Sequence, residues 1–230
     1  MALAFTALAA ASQSTSNIAS YAGTVGTPVV GDLLICFVSC SGNTSGTMSG
    51  TFTWTLLTSI VRGSDTIYVF WAYATTATAT SPTFNSSSGN ASGCIISCVR
   101  VTGGEGSKQP YLRQLKLSIS SNANPSITMD AAILTGNGVL AFASNVINSA
   151  TQWVAPTGLT EVTGSQVSYN TPANSGQTSS AASGVTASSF TWTNGGAGSS
   201  AMVVLEFYNA GTGPVQETNN MGFFGGISSI

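Results

Sequence analysis

Gly31-Asp32-Leu33-Leu34-Ile35-Cys36-Phe37-Val38-Ser39-Cys40 is the stretch that decides the fold. A Gly-Asp pair opens it, which is turn chemistry. Apolar, branched and aromatic residues then fill it, and such side chains suit a pleated surface. Runs of the same kind recur between Gly, Ser and Asn at 3–8, 53–61, 66–73, 93–101, 114–120, 126–129, 138–144, 164–169, 188–193 and 201–208. No amphipathic helical stripe interrupts them. The pattern predicts an all-β chain folded as an antiparallel β-sandwich, jelly-roll-like. Residues 103–110 (Gly-Gly-Glu-Gly-Ser-Lys-Gln-Pro) are expected to join two halves. Residues 172–183, rich in Ser, Ala and Gly, are expected to form a long exposed loop or an edge.

The halves echo one another. Asp32-Leu33-Leu34-Ile35 corresponds to Gly138-Val139-Leu140-Ala141 at an offset of 106, which also places Phe84 on Phe190 and Arg100 on Glu206. Near Trp54-Thr55-Leu56-Leu57 the offset is 105, giving Leu159-Thr160-Glu161-Val162. These anchors suggest two duplicated strand sets; chance matching in a regular sandwich is the competing explanation. One sandwich domain over 1–210, built from both sets, is expected, followed by a C-terminal arm over 211–230.

Charge is scarce. The chain has 5 Lys+Arg, 7 Asp+Glu and no histidine, with 5% of its residues charged, against about 25% in an average domain. The hydrophobic fraction of 43% still supplies a core. Lys108, Arg113 and Lys116 are the nearest approach to a basic patch and read as a solvated loop, so nucleic-acid binding is not expected. No run of 18 apolar residues predicts a membrane span. The start, Met1 to Ser12, is apolar but carries no Lys or Arg and is broken by Thr6, so it reads as a first strand and not as an export signal.

No catalytic residue, cofactor or metal is expected. Without histidine there is no Ser–His or Cys–His pair. The seven carboxylates, Asp32, Asp65, Glu105, Asp130, Glu161, Glu206 and Glu217, form no recognisable acid–base pair. Asp32 reads as a turn residue, and Glu206 as a residue on an outward strand face. Trp54, Trp71, Trp153 and Trp192 lie in or beside β runs, where core packing is the commoner role and sugar stacking the rarer one.

The cysteines carry a register. Cys36 and Cys40 lie on one run, Cys94 and Cys98 on another, each four residues apart. Within a strand that is roughly 13 Å, too far for a bridge. Two antiparallel neighbours, however, can set Cys36 opposite Cys98 and Cys40 opposite Cys94. Buried thiols and cross-strand disulfides both satisfy this register. The repeat would put Phe142 opposite Val204 at the equivalent place. In the tail, Met221, Phe223, Phe224, Ile227 and Ile230 stand among glycines that deny them an element of their own, so an assembly arm laid on a neighbouring subunit is expected.

Several of these motifs together resemble a widespread group of bacteriophage virion proteins. The opening Met1-Ala2-Leu3-Ala4-Phe5, then Gly31-Asp32-Leu33-Leu34-Ile35, Trp54-Thr55-Leu56-Leu57 and Tyr73-Ala74 follow that group's order. So do Gly136-Asn137-Gly138-Val139-Leu140, the turn Pro156-Thr157-Gly158-Leu159-Thr160 and the closing Met202-Val203-Val204-Leu205-Glu206-Phe207. Phe52-Thr53 stands where the group has a Pro-x-Gly turn. The resemblance covers roughly residues 1–209. It implies a β-sandwich that is a structural protein of the virion, a capsid decoration or a tail- or fibre-associated subunit. Such a protein is made in the host cytoplasm, and its partners are copies of itself and other virion proteins. A carbohydrate-binding or adhesin module that meets surface glycans, and an extracellular filament subunit, are the alternatives.

Overall fold

The decisive run becomes a strand buried on both faces. In the computed structural model, which describes residues 3–42, 45–87, 89–103, 112–146, 153–170, 173–193 and 198–209, every residue of strand β4 (Leu33–Ser41) is buried. Leu33, Ile35 and Phe37 enter one apolar cluster, while Leu34, Cys36, Val38 and Cys40 enter another on the opposite face. A near-continuous apolar run is what a strand covered on both sides requires.

The described residues contain 17 strands and no helix. The first half holds β1 (Ala4–Ala7), β2 (Ser12–Ser14), β3 (Ser20–Ala22), β4, β5 (Gly46–Ser49), β6 (Thr55–Arg62), β7 (Asp65–Tyr73), β8 (Thr83–Ser86) and β9 (Gly93–Thr102). The second holds β10 (Leu112–Ser120), β11 (Ser126–Thr128), β12 (Gly138–Asn145), β13 (Thr160–Glu161), β14 (Val167–Asn170), β15 (Ala173–Ala181), β16 (Ser189–Thr191) and β17 (Ser200–Phe207). Two large sheets run β1-β9-β4-β7-β6 and β10-β17-β12-β15-β13, with β2 beside β9 and β14 beside β15; the small sheets are β3-β8-β5 and β11-β16. All pairings between these strands are antiparallel.

Each half is strung like a jelly roll. With β2 set aside, the first half has eight strands. The large sheet takes the first, eighth, third and sixth of them, and the small sheet the second, seventh and fourth. Only the fifth, β6, departs, remaining on β7 through the Gly63-Ser64 turn. The second half repeats this order, with a single bridge, Val154 to Thr193, where a fourth strand would lie. The large sheets pack face to face, and each carries its small sheet on its outer face. One cluster therefore lies between the large sheets and one beneath each small sheet.

Equivalent residues meet at the centre. The Phe37 and Phe142 rings stack with centroids 5.1 Å apart and planes 7° from parallel, and Ser39 Oγ lies 2.7 Å from Ser144 Oγ. Both pairs are 105 residues apart, and both contacts advance together. Strands β4 and β12 thus run in the same direction on either side of a local two-fold axis. The repeat is real, but its offset along this strand is 105 and not 106, while β9 and β17 keep 106. The place equivalent to Cys36 and Cys98 is accordingly Ala141 opposite Val204; Phe142 faces Val203.

Residues 172–183 were expected as an exposed loop or edge. From Ala173 they instead form β15, an interior strand between β12 and β13 with Asn174–Ser179 buried. Its polar side chains find partners inside. Asn174 bonds Ser144, Ser39 and Ser41. Gln177 donates to the Trp153 carbonyl, and Thr178 Oγ1 pairs with Ser97 Oγ at 2.8 Å. Polar composition reads as loop only when those groups must bond water; here they bond the facing sheet.

Candidate functional site

Three constellations gather the chain's chemistry: two loop latches at one end, a cleft at the other, and a set of thiols under the first small sheet. The latches occupy equivalent positions. Gly31, at φ 91°, turns the chain into Asp32, a backbone conformation that favours glycine. Asp32 Oδ2 accepts from the Val29 backbone N–H at 2.7 Å and from Arg100 Nε at 2.6 Å. In the second half Gly136, at φ 119°, precedes Asn137, whose amide donates to Glu206 Oε1 at 2.7 Å. Asp32 and Asn137 differ by 105, Arg100 and Glu206 by 106. The same latch is therefore built twice, with the carboxylate on the loop in the first half and on the strand in the second.

Glu206 lies on the outer face of β17, as its alternation with the inward Leu205 and Phe207 implies, yet it is 0% exposed. The outer face of β17 is covered by the 129–137 loop, and strand alternation cannot reveal a lid. Besides Asn137, its carboxylate accepts from the Leu134 N–H (3.0 Å), Arg113 (2.7 Å) and Gln114 (2.5 Å). Burial pushes its pKa up, but these four donors outweigh burial and hold it below the usual glutamate value. Lys116 pairs with Asp130. Arg113 and Lys116, expected in a solvated loop, instead lie on strand β10 and neutralise these carboxylates. Lys108, Glu105 and Glu217 lie outside the described residues.

At the opposite end, where β6 turns into β7, a cleft of about 360 Å³ is lined by Arg62, Gly63, Ser64, Asp65, Val146, Ala173 and Ser199. Arg62 and Asp65 are both buried and 3.0 Å apart. Arg62 also donates to the Ser144 carbonyl across the sheets at 2.6 Å. Burial pulls the Arg62 pKa down, and Asp65 opposes that pull. Asp65 holds Arg62 within the hairpin, and the Arg62–Ser144 bond crosses the sandwich seam, so the arrangement clamps the two halves. Sequence reasoning missed it; the short Arg-Gly-Ser-Asp hairpin was the available signal.

The thiols stand as a ladder. β4 and β9 pair with Cys36 opposite Cys98 and Cys40 opposite Cys94. All four are buried and free. Burial first, then the neighbouring sulfur, pushes Cys36 and Cys94 well above the usual thiol range. Such thiols are poor nucleophiles. Tyr21 and Tyr68, near the same sulfurs, are pushed up to about 12, chiefly by burial. No group of three or more His, Cys, Asp or Glu residues that could hold a metal occurs among the described residues.

Trp153 and Trp192 are buried, and Trp54 and Trp71 half-buried. Met221, Phe223, Phe224, Ile227 and Ile230 lie outside the described residues. No helix among the described residues is long and apolar enough to cross a membrane.

These features define a class: an all-β protein whose antiparallel sheets pack as a β-sandwich, with its polar chemistry directed inward. Compared with family models, curated proteins and solved structures, the chain matches none.

Proposed function

We propose that the chain is a structural subunit of a phage particle, a capsid decoration or tail-associated protein that acts by assembly and not by catalysis. One observation carries this reading most: each described cation is paired with a carboxylate that ties a loop, a hairpin or a strand to its neighbour. The chain's scarce charge goes into rigidity. The residues that resemble the virion group have the same character. Gly31-Asp32 and Gly136-Asn137 set the two latches, and Met202 to Phe207 lies in the buried strand β17. A shell component needs a stiff body and copies that tolerate one another closely; low charge weakens repulsion between copies.

Mass spectrometry and labelled electron microscopy of purified particles test the proposal. The chain is expected in many copies on head or tail, and its absence from particles overturns the reading. Deleting residues 212–230 is expected to leave the body folded while weakening attachment; undiminished attachment would remove the arm from the proposal. Glycan binding draws less support, because none of the four tryptophans is fully exposed.

A further inference from the structure

The two large sheets end differently on their two sides. On one side β2 lies against β14, and Ala11 N–H bonds the Gly164 carbonyl across the seam at 2.9 Å. The edge strands there are short: four residues in β1, three in β2, two in β13 and four in β14. On the other side β6 lies against β10, and both are long edges of eight and nine residues. A long open edge presents a row of unpaired backbone donors and acceptors, which proteins usually blunt with charge, proline or brevity. Strand β10 has Arg113 and Lys116. Strand β6 has no proline, and its one charge, Arg62, is buried. Among the described residues its only strand partner is β7.

Strand β6 is also self-complementary. Leu56, Ser59 and Val61 stand opposite Phe70, Tyr68 and Thr66. Phe70 and Tyr68 belong to the outer cluster, so this is the outer face. A bulge skips Leu57, which brings Leu56 two ladder steps from Ser59, as Val61 is on the other side. Leu56 is 48% and Val61 49% exposed, large for apolar side chains on a strand. An antiparallel partner centred on Ser59 would set Ser59 against Ser59, and Leu56 of each copy against Val61 of the other.

We propose that β6 is a homotypic docking edge, which pairs antiparallel with β6 of a second copy about a two-fold axis at Ser59 and joins two six-stranded sheets into one. This inference shares with the proposed function the premise that copies associate, and it needs no particle.

The full chain tests it. Ser59→Cys should give a disulfide-linked dimer under diamide, because directly opposed residues have Cα atoms about 4.5–5.5 Å apart, within the range of about 4.4–6.8 Å for a disulfide. Thr160→Cys on β13 and the parent chain, whose own thiols are buried, should not. In sedimentation equilibrium up to about 0.1 mM, Leu56→Lys with Val61→Lys sets lysine against lysine and should weaken association at least about tenfold. Leu56→Glu with Val61→Lys restores opposite charges across the junction and should recover it. Circular dichroism should show all variants folded, since both positions are exposed. A parent chain that stays monomeric, a double-lysine variant that associates undiminished, or Ser59→Cys cross-linking no faster than Thr160→Cys overturns the pairing. If β6 variants lose self-association while the chain is absent from particles, the pairing stands and the virion reading fails; if particles carry the chain and β6 variants associate normally, the reverse holds.

Discussion

Glu206 shows how one residue can tie a loop to a sheet and make the tie depend on pH. Its folded pKa lies below the ordinary glutamate value because four donors converge on a buried carboxylate. A depressed carboxylate contributes stability that is present above its unfolded pKa and lost as pH falls through its folded one. Thermal melts should therefore lose stability on acidification below the usual carboxylate range. Glu206→Gln should be less stable at neutral pH, since it leaves Arg113 without its carboxylate, and should show a flatter acid limb. An unchanged acid limb would show that other carboxylates dominate. The Arg62–Asp65 clamp makes a second residue-scale prediction. Asp65→Ala leaves a buried guanidinium without its counter-charge, and removing one partner of a buried pair costs about 3–5 kcal/mol. Urea unfolding should read that loss, and a loss below about 1 kcal/mol, the range of exposed pairs, would show the clamp to be wetter than its burial indicates.

At the scale of elements, the thiol ladder was legible in the sequence because a strand has a fixed period. Two i, i+4 pairs admit one antiparallel register, and β4 and β9 adopt it. Under a strong oxidant the links Cys36–Cys98 and Cys40–Cys94 are the ones expected in peptide mapping; Cys36–Cys94 or Cys40–Cys98 links would contradict the register. Strand β15 was not legible, and the reason is physical. Its run Ala-Asn-Ser-Gly-Gln-Thr-Ser-Ser-Ala lacks the apolar, branched side chains that mark a strand. Its order comes instead from partners more than a hundred residues away in sequence, such as Ser39 and Ser41. Strand propensity describes fit to a half-buried pleat, so a strand that pairs with polar groups of a facing sheet leaves no local trace. The latches were half legible: Gly31-Asp32 read as a turn, but the burial of Glu206 depended on a loop folding back over β17.

For the whole molecule, the shared cluster between the large sheets decides whether the halves are independent. Each half has a jelly-roll connectivity and a private cluster under its small sheet, which suggests that either could fold alone. Yet Leu33, Ile35, Phe37 and Val99 of the first half share one buried cluster with Leu140, Phe142 and Leu205 of the second. Cutting between the halves would expose this face, with large side chains contributing about 1.5–3 kcal/mol each when buried, and patches of that kind drive association. It would also break the Ser39–Ser144 and Arg62–Ser144 bonds across the seam. The intact chain should therefore unfold in one cooperative transition, with calorimetric and van't Hoff enthalpies equal. Residues 1–103 expressed alone should self-associate or bind dye that reports exposed apolar surface, and adding residues 104–230 in trans should suppress it. The central stack supplies the sharpest form of this test. Phe142→Ala removes a ring that touches Phe37 at the local axis and also limits the space beside Gly176, where an added Cβ would lie 3.1 Å from the ring. Truncations of this type cost about 3–5 kcal/mol. If the halves share one cooperative core, the substitution lowers a single transition; if two transitions separate instead, the halves are domains that merely touch.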